Sequence, residues 1–182
     1  MKNEWKKAEK ILKNDGVGVM PTDTLYGLVG SAFSKKAINR IYKIKKRDKS
    51  KKLIVLISSI KDLKKFKIKI SKEEAKILEK FWPGRVSIVL DNIAFRYPNN
   101  KALLEILKKT GPLVAPSANP EGKKPAENIK EAKEYFGPAS TQGGDEVDFY
   151  IDGGKRKGEP STLIKIENGK IEVLRQGKVF LV

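Results

Sequence analysis

The amino-acid sequence predicts one α/β domain, residues 1–182, built on a mixed sheet. Three observations carry that prediction. Segments with helical spacing alternate with short β-branched runs, the chain closes on a two-strand hairpin signal, and no shift of composition divides its 182 residues. A chain of this length buries a sizeable core.

Trp5, Ala8, Ile11 and Leu12 share one helical face, and Asn14, Asp15 and Gly16 end that first helix. Residues 17–20 read as a short strand that delivers the segment PTDTLYGL at 21–28. Two threonines, an aspartate, a tyrosine and a glycine just past a strand end fit either the wall of a polar pocket or a capped turn with Tyr26 packed beneath it. Residues 34–46 carry helical spacing at Ala37, Ile38, Ile41, Tyr42 and Lys45, with Ser34 as cap. KKRDKSKK at 45–52 then puts six cations and one carboxylate into eight residues, ahead of the uncharged run LIVLI at 53–57, a buried strand. Such a run is either a solvated helix end or, on a short connection between two core elements, a set of cations converging on one anion.

Residues 59–66 and 71–81 are helical by spacing, the second opened by the capping box of Ser71 and Glu74. Trp82, Pro83 and Gly84 turn the chain into strands at 86–90 and 93–96, which leaves Arg96 at an edge, toward a ligand or toward solvent. A helix at 101–109 stops at Gly111 and Pro112. The strand 113–115 opens into a loop whose Ser117, Asn119 and Gly122 supply donors of the kind that hold phosphate oxygens and that also occur in plain turns. A helix at 127–136, a small polar surface loop at 137–145, a strand at 149–151 and the basic segment GGKRKGEP at 153–160 follow. The alternation of STLIKI marks a half-buried strand, and Asn168 with Gly169 turns it toward a partner at 171–174.

Composition narrows the chemistry. The 39 Lys and Arg against 22 Asp and Glu leave +17, a field that favours nucleotides, phosphates and nucleic acid, although a lysine-rich surface carries the same charge. The chain has no Cys and no His. Thiolate chemistry, imidazole metal ligands and Ser-His-Asp arrangements are therefore excluded. An enzyme built from what remains works with Lys, Arg, hydroxyls, carboxylates and main-chain amides, which suits phosphoryl and nucleotidyl transfer. No apolar run has the length to span a bilayer and the N-terminal residues lack a signal-peptide core, so a cytoplasmic protein with no membrane partner is expected.

Eight short motifs in register resemble one family, the YrdC domain of threonylcarbamoyl-AMP synthases. They are PTDTLYGL at 21–28, Lys45-x-Arg47, FWPG at 81–84, Arg96-x-Pro98, APSAN at 115–119, DGG at 152–154, Ser161-Thr162 and LRQG at 174–177. The resemblance implies a twisted mixed parallel and antiparallel sheet with flanking helices and a basic concave cavity. It implies the short form, without a C-terminal extra domain. It also implies an L-threonylcarbamoyladenylate synthase. In that reaction L-threonine and bicarbonate form a carbamate that attacks the α-phosphate of ATP, and pyrophosphate leaves. Threonylcarbamoyl-AMP then passes to a downstream tRNA threonylcarbamoyl transferase complex. By the same resemblance Lys45 and Arg47 are catalytic, Arg47, Lys51, Ser117, Asn119 and Arg175 hold ATP, and Thr24, Tyr26, Arg96 and Ser161 hold threonine. Mg2+ is expected with ATP, bridging phosphate oxygens, with no metal site of the protein's own.

Four positions depart from the family pattern. Lys52 stands where proline is usual, Leu56 where some members have a histidine, Glu121 where serine precedes the glycine, and Ala126 where a hydroxyl is common. A carboxylate beside phosphate is unfavourable unless Lys123 or Lys124 offsets it. The competing reading is a non-catalytic module of the same fold that holds tRNA or double-stranded RNA through phosphate contacts, which a synthase serving tRNA could also make. Such a module has no use for Lys-x-Arg, Ser-x-Asn, Ser-Thr and Arg sets on four loops, and it loses affinity steeply with salt. A third reading, a carbamoyl-transfer domain like those of hydrogenase maturation factors, belongs to much longer chains.

Overall fold

A computed structural model describes residues 2–140, 146–167 and 169–180. The chain opens with α1 (Lys2–Lys13), β1 (Val17–Pro21), β2 (Tyr26–Ser31) and α2 (Lys35–Lys45). It continues through β3 (Ile54–Leu56), a 3-10 helix (Ile60–Phe66), α3 (Lys72–Phe81), β4 (Val86–Leu90), β5 (Ile93–Arg96) and α4 (Lys101–Thr110). It closes with β6 (Leu113–Val114), α5 (Ile129–Phe136), β7 (Phe149–Tyr150), β8 (Thr162–Glu167) and β9 (Lys170–Arg175). Ser34, Ser71, Asn100 and Asn128 cap α2, α3, α4 and α5 by accepting the amide of the third helical residue.

Two expectations change. The segment 21–28 is not one loop: residues 22–25 make a tight turn, and Tyr26 already belongs to β2, antiparallel to β1. Arg96 does not sit at a sheet edge, because β5 lies between β3 and β4 and the residue is 4% exposed. The turn at Asn168 and residues 141–145 of the expected surface loop lie outside the described residues.

The described strands form one mixed sheet in the order β7-β1-β2-β6-β3-β5-β4-β8-β9. β1 with β7, β3 with β5 and β4 with β8 are parallel pairs, and the remaining neighbours are antiparallel. Alternation along the strands feeds two cores. Met20, Val29, Leu56 and Leu113 pack with Ala8 and Leu12 of α1 and with Leu103, Ile106 and Leu107 of α4. Val19, Leu28, Val55, Ile88 and Phe95 pack with Ala37 and Ile41 of α2, Leu78 of α3 and Phe136 of α5. Trp82 is structural, its indole N–H donating to the Val86 carbonyl at 2.7 Å. Among the described residues no helix is long and apolar enough to cross a membrane.

Two local features aim the basic stretch. Gly30 lets α2 lie close on β2, where a Cβ would stand 3.1 Å from Ala37 and 3.2 Å from Ile41. Lys46 then ends the helix in the left-handed region at φ 49°, with the Arg47 amide reaching back to the Tyr42 carbonyl at 3.0 Å. That reversal turns Arg47 into a cleft.

Candidate functional site

The cleft has a volume of about 560 Å3 and gathers residues from between Thr22 and Arg175. Of the residues expected at the site, Thr24, Tyr26, Arg47, Arg96, Ser117, Ser161 and Arg175 line it. Lys45, Lys51 and Asn119 do not, and Lys52 takes part instead. Its lining therefore carries four cations, Arg47, Lys52, Arg96 and Arg175, and no carboxylate. Burial draws the Arg175 guanidinium below its ordinary value, and the charges of Arg96 and Arg47 push the same way. Three guanidiniums thus face one space, a strong field for a polyanion.

The hydroxyl end is built by the turn between β1 and β2. Thr22 fixes it, with its hydroxyl donating to the Leu25 carbonyl at 2.6 Å and accepting the Thr24 amide at 3.2 Å. Tyr26 is fully buried, and its hydroxyl accepts the Gly153 amide at 2.8 Å and donates to the Gly154 carbonyl at 2.7 Å. Burial raises that phenol above its ordinary value. Arg96 pairs with Asp23, Nη2 to Oδ1 at 3.0 Å. Across the cleft Ser161 Oγ meets Ser87 Oγ at 2.8 Å, and Arg175 Nη2 donates to the Ser161 carbonyl at 2.8 Å.

The loop after β6 is stitched along β2. Its Ala118 amide donates to the Tyr26 carbonyl at 2.8 Å, and the Leu28 amide donates to the Pro116 carbonyl at 2.9 Å. Ser117 Oγ donates to Asn119 Oδ1 at 2.6 Å, while Asn119 Nδ2 donates to the carbonyls of Pro120 and Lys123 at 2.9 and 2.7 Å. Asn119 thus spends its amide on shaping the loop. Lys45 lies beneath it, 1% exposed, donating from Nζ to the carbonyls of Ser117 and Asn119. Burial and the nearby Arg47 charge bring Lys45 down to about 7, against an opposing pull from Glu121.

The family departures also find places. Leu56 is fully buried in the core beside α1 and α4, away from the cleft lining. Ala126 is fully buried, its amide donating to the Ala118 carbonyl at 3.0 Å. Glu121 pairs with Lys51. Sequence reasoning misses Asn92, which lines the cleft from the β4–β5 turn at φ 62°, and it counts Asp23 toward a pocket wall, whereas that carboxylate stands behind the lining, paired with Arg96.

No group of three or more carboxylates suited to a metal ion occurs among the described residues, and the cleft lining offers only neutral and cationic donors. That donor set suits phosphate oxygens.

A family model described as telomere recombination, Sua5_yciO_yrdC, matches residues 10–177. A putative threonylcarbamoyl-AMP synthase of Methanocaldococcus jannaschii is 32% identical over 97% of this chain and 88% of the relative. The threonylcarbamoyl-AMP synthase of Pyrococcus abyssi is 30% identical over 96% of this chain, which spans 54% of that longer protein. The crystal structure of P. abyssi Sua5 complexed with L-threonine superposes with a TM-score of 0.81 at 26% identity, over 95% of this chain and 54% of that one. With most of its length matched by that model and by a 32% identical relative, the chain belongs to the Sua5/YciO/YrdC family.

Proposed function

We propose that the protein is an L-threonylcarbamoyladenylate synthase, acting as a single domain in the cytoplasm. The observation that carries this reading is one cleft lined by four cations and no carboxylate, with a hydroxyl-rich turn at one end. Names borne by relatives support it, since two of them are called threonylcarbamoyl-AMP synthases and one related structure holds L-threonine.

In this reading L-threonine lies against Thr24, Tyr26, Arg96 and Ser161, its carboxylate paired with Arg96. Its amine adds to bicarbonate with loss of water, giving a carbamate. A carbamate oxygen attacks the α-phosphorus of ATP, the bond to the bridging oxygen breaks, and pyrophosphate leaves with that electron pair. Arg47 and Arg175 face the charge that gathers on the phosphates, and Ser117 donates to nucleotide oxygens by turning its hydroxyl away from Asn119. Lys45 and Asn119 act from beneath by holding the loop that carries Ser117. Lys51 joins the phosphates only by leaving Glu121. Mg2+ enters with ATP and supplies charge neutralisation across the phosphate oxygens. The product passes to a tRNA threonylcarbamoyl transferase complex, and the net charge of +17 favours direct contact with tRNA or double-stranded RNA as well.

The test is mass-spectrometric detection of threonylcarbamoyl-AMP from the pure protein with MgATP, threonine and bicarbonate, each omitted in turn. Product that needs all of them supports the synthase. Nucleotide binding without product favours the RNA-binding module.

A further inference from the structure

Asp23 stands behind Arg96, and their side chains are 3% and 4% exposed. Nη2 and Oδ1 approach to 3.0 Å, yet neither oxygen of Asp23 accepts a hydrogen bond and Nε of Arg96 donates none. A buried ion pair without further hydrogen bonds is weak support for a fold. Orphaned buried polar atoms of this kind ask for another reason to exist.

Charge supplies one. Asp23 pairs with Arg96 from behind the cleft lining, whereas Arg47, Lys52 and Arg175 form no ion pair among the described residues, and Glu121, the carboxylate that feels the Arg47 charge, pairs with Lys51. The Arg96 corner, with the hydroxyls of Thr22 and Thr24, is thereby net-neutral, while Arg175, hydrogen-bonded to Ser161, stands between it and the positive wall of Arg47 and Lys52. A polyphosphate approaching Arg96 meets the Asp23 carboxylate at short range in a poorly solvated wall, where like charges repel strongly. A zwitterion meets no such penalty, because it brings a cation with its carboxylate.

We propose that Asp23 is the specificity-determining residue of the amino-acid end, neutralising Arg96 so that phosphates stay with Arg47, Lys52 and Arg175 while Arg96 is reserved for a zwitterionic α-amino acid. This rests on the functional reading above. Asp23 is a positioning residue that acts through Arg96, and its removal turns Arg96 into a general anion site.

The test is titration calorimetry on the full chain with three probes: L-threonine, 3-hydroxybutyrate as threonine without its amine, and inorganic pyrophosphate. Wild type is expected to prefer threonine over 3-hydroxybutyrate and to bind pyrophosphate without displacing threonine. In Asp23→Asn the preference falls by about tenfold or more, and pyrophosphate becomes a competitor of threonine. Asp23→Glu, which keeps the charge, retains wild-type behaviour. A folded Asp23→Asn with unchanged preference and no competition overturns the assignment and leaves the synthase reading standing. Wild type that binds pyrophosphate but no threonine overturns both. Should Asp23→Asn fail to fold, the wild-type titration decides, since pyrophosphate displacing threonine there overturns the proposal.

Discussion

The carboxylate of Glu121 accepts a hydrogen bond from Nζ of Lys51 and another, at 3.1 Å, from the main-chain amide of Asp48. The amide of Glu121 donates to the Lys45 carbonyl at 2.7 Å. Loops some 70 residues apart in sequence are thus clasped at the basic stretch. The hydrogen bond from Lys51 is the main cause that holds Glu121 below its ordinary carboxylate value. The offset for this carboxylate comes from Lys51, where adjacency in sequence points to Lys123 or Lys124.

Replacing Glu121 with Ser releases Lys51 and removes a negative charge from the basic stretch. ATP binding is expected to be unchanged or tighter, with a steeper dependence on salt. Titration calorimetry at two ionic strengths checks this. A large loss of affinity would mean that the clasp holds the loop in its binding shape.

Arg47→Ala is expected to lower threonylcarbamoyl-AMP formation by about 100-fold or more while the melting temperature stays near that of wild type. Arg47 is only partly buried, and its own hydrogen bonds go to the carbonyls of Lys51 and Lys52 at 3.1 and 3.5 Å. Turnover near the wild-type rate would remove this residue from the phosphate site.

Lys45 predicts a pH dependence of stability. Its folded value of about 7 lies below the ordinary 10.5, so between those values the unfolded chain keeps a proton that the folded chain has released. Stability therefore rises with pH across that window, by at most about 1.4 kcal/mol per unit. Below pH 7 both states are charged, the slope vanishes, and the burial cost is fully present. Urea unfolding of wild type and Lys45→Met between pH 7 and 9 checks this, and an equal slope in both would place the effect elsewhere. The variant also leaves the carbonyls of Ser117 and Asn119 without their donor, at a cost of about 1–3 kcal/mol.

Tyr26→Phe deletes the hydroxyl that holds residues 153 and 154 to the start of β2. Leaving the Gly153 amide unpaired is expected to cost about 1–2 kcal/mol. In the proposed reaction the KM for threonine rises more than the KM for ATP, which steady-state kinetics with each substrate varied would read.

The amphipathic helices are legible in the sequence because Ala37, Ile41 and Leu78 recur at helical spacing and Ser34 and Ser71 mark the starts, whereas the cap of α5, Asn128, falls inside the helix expected at 127–136. The strand Tyr26–Ser31 is harder to see, because a four-residue turn rich in hydroxyls separates it from β1 and its Tyr-Gly start has little of a strand's appearance. Arg96 looks terminal because Tyr97 and Pro98 end its strand, but the end of a strand is not the edge of a sheet. Parallel pairing with β3 on one side and antiparallel pairing with β4 on the other come from distant segments. At the site, seven of the ten expected residues reach the cleft. Nothing local to KKRDKSKK tells which lysine turns inward beneath the 117–119 loop and which finds a carboxylate, since the partners of Lys45 and Lys51 lie about 70 residues away.

The strand order also makes one loop a tether. Residues 151–161 have no regular structure and join β7, at one edge of the sheet, to β8, next to the other edge. On the way the loop is pinned beside the β1–β2 turn, where the Tyr26 hydroxyl holds Gly153 and Gly154 and Gly158 comes close to the Thr24 carbonyl. One connection therefore ties the wall that carries Thr24 to the strand that follows Ser161, so a deletion within it pulls on both walls at once.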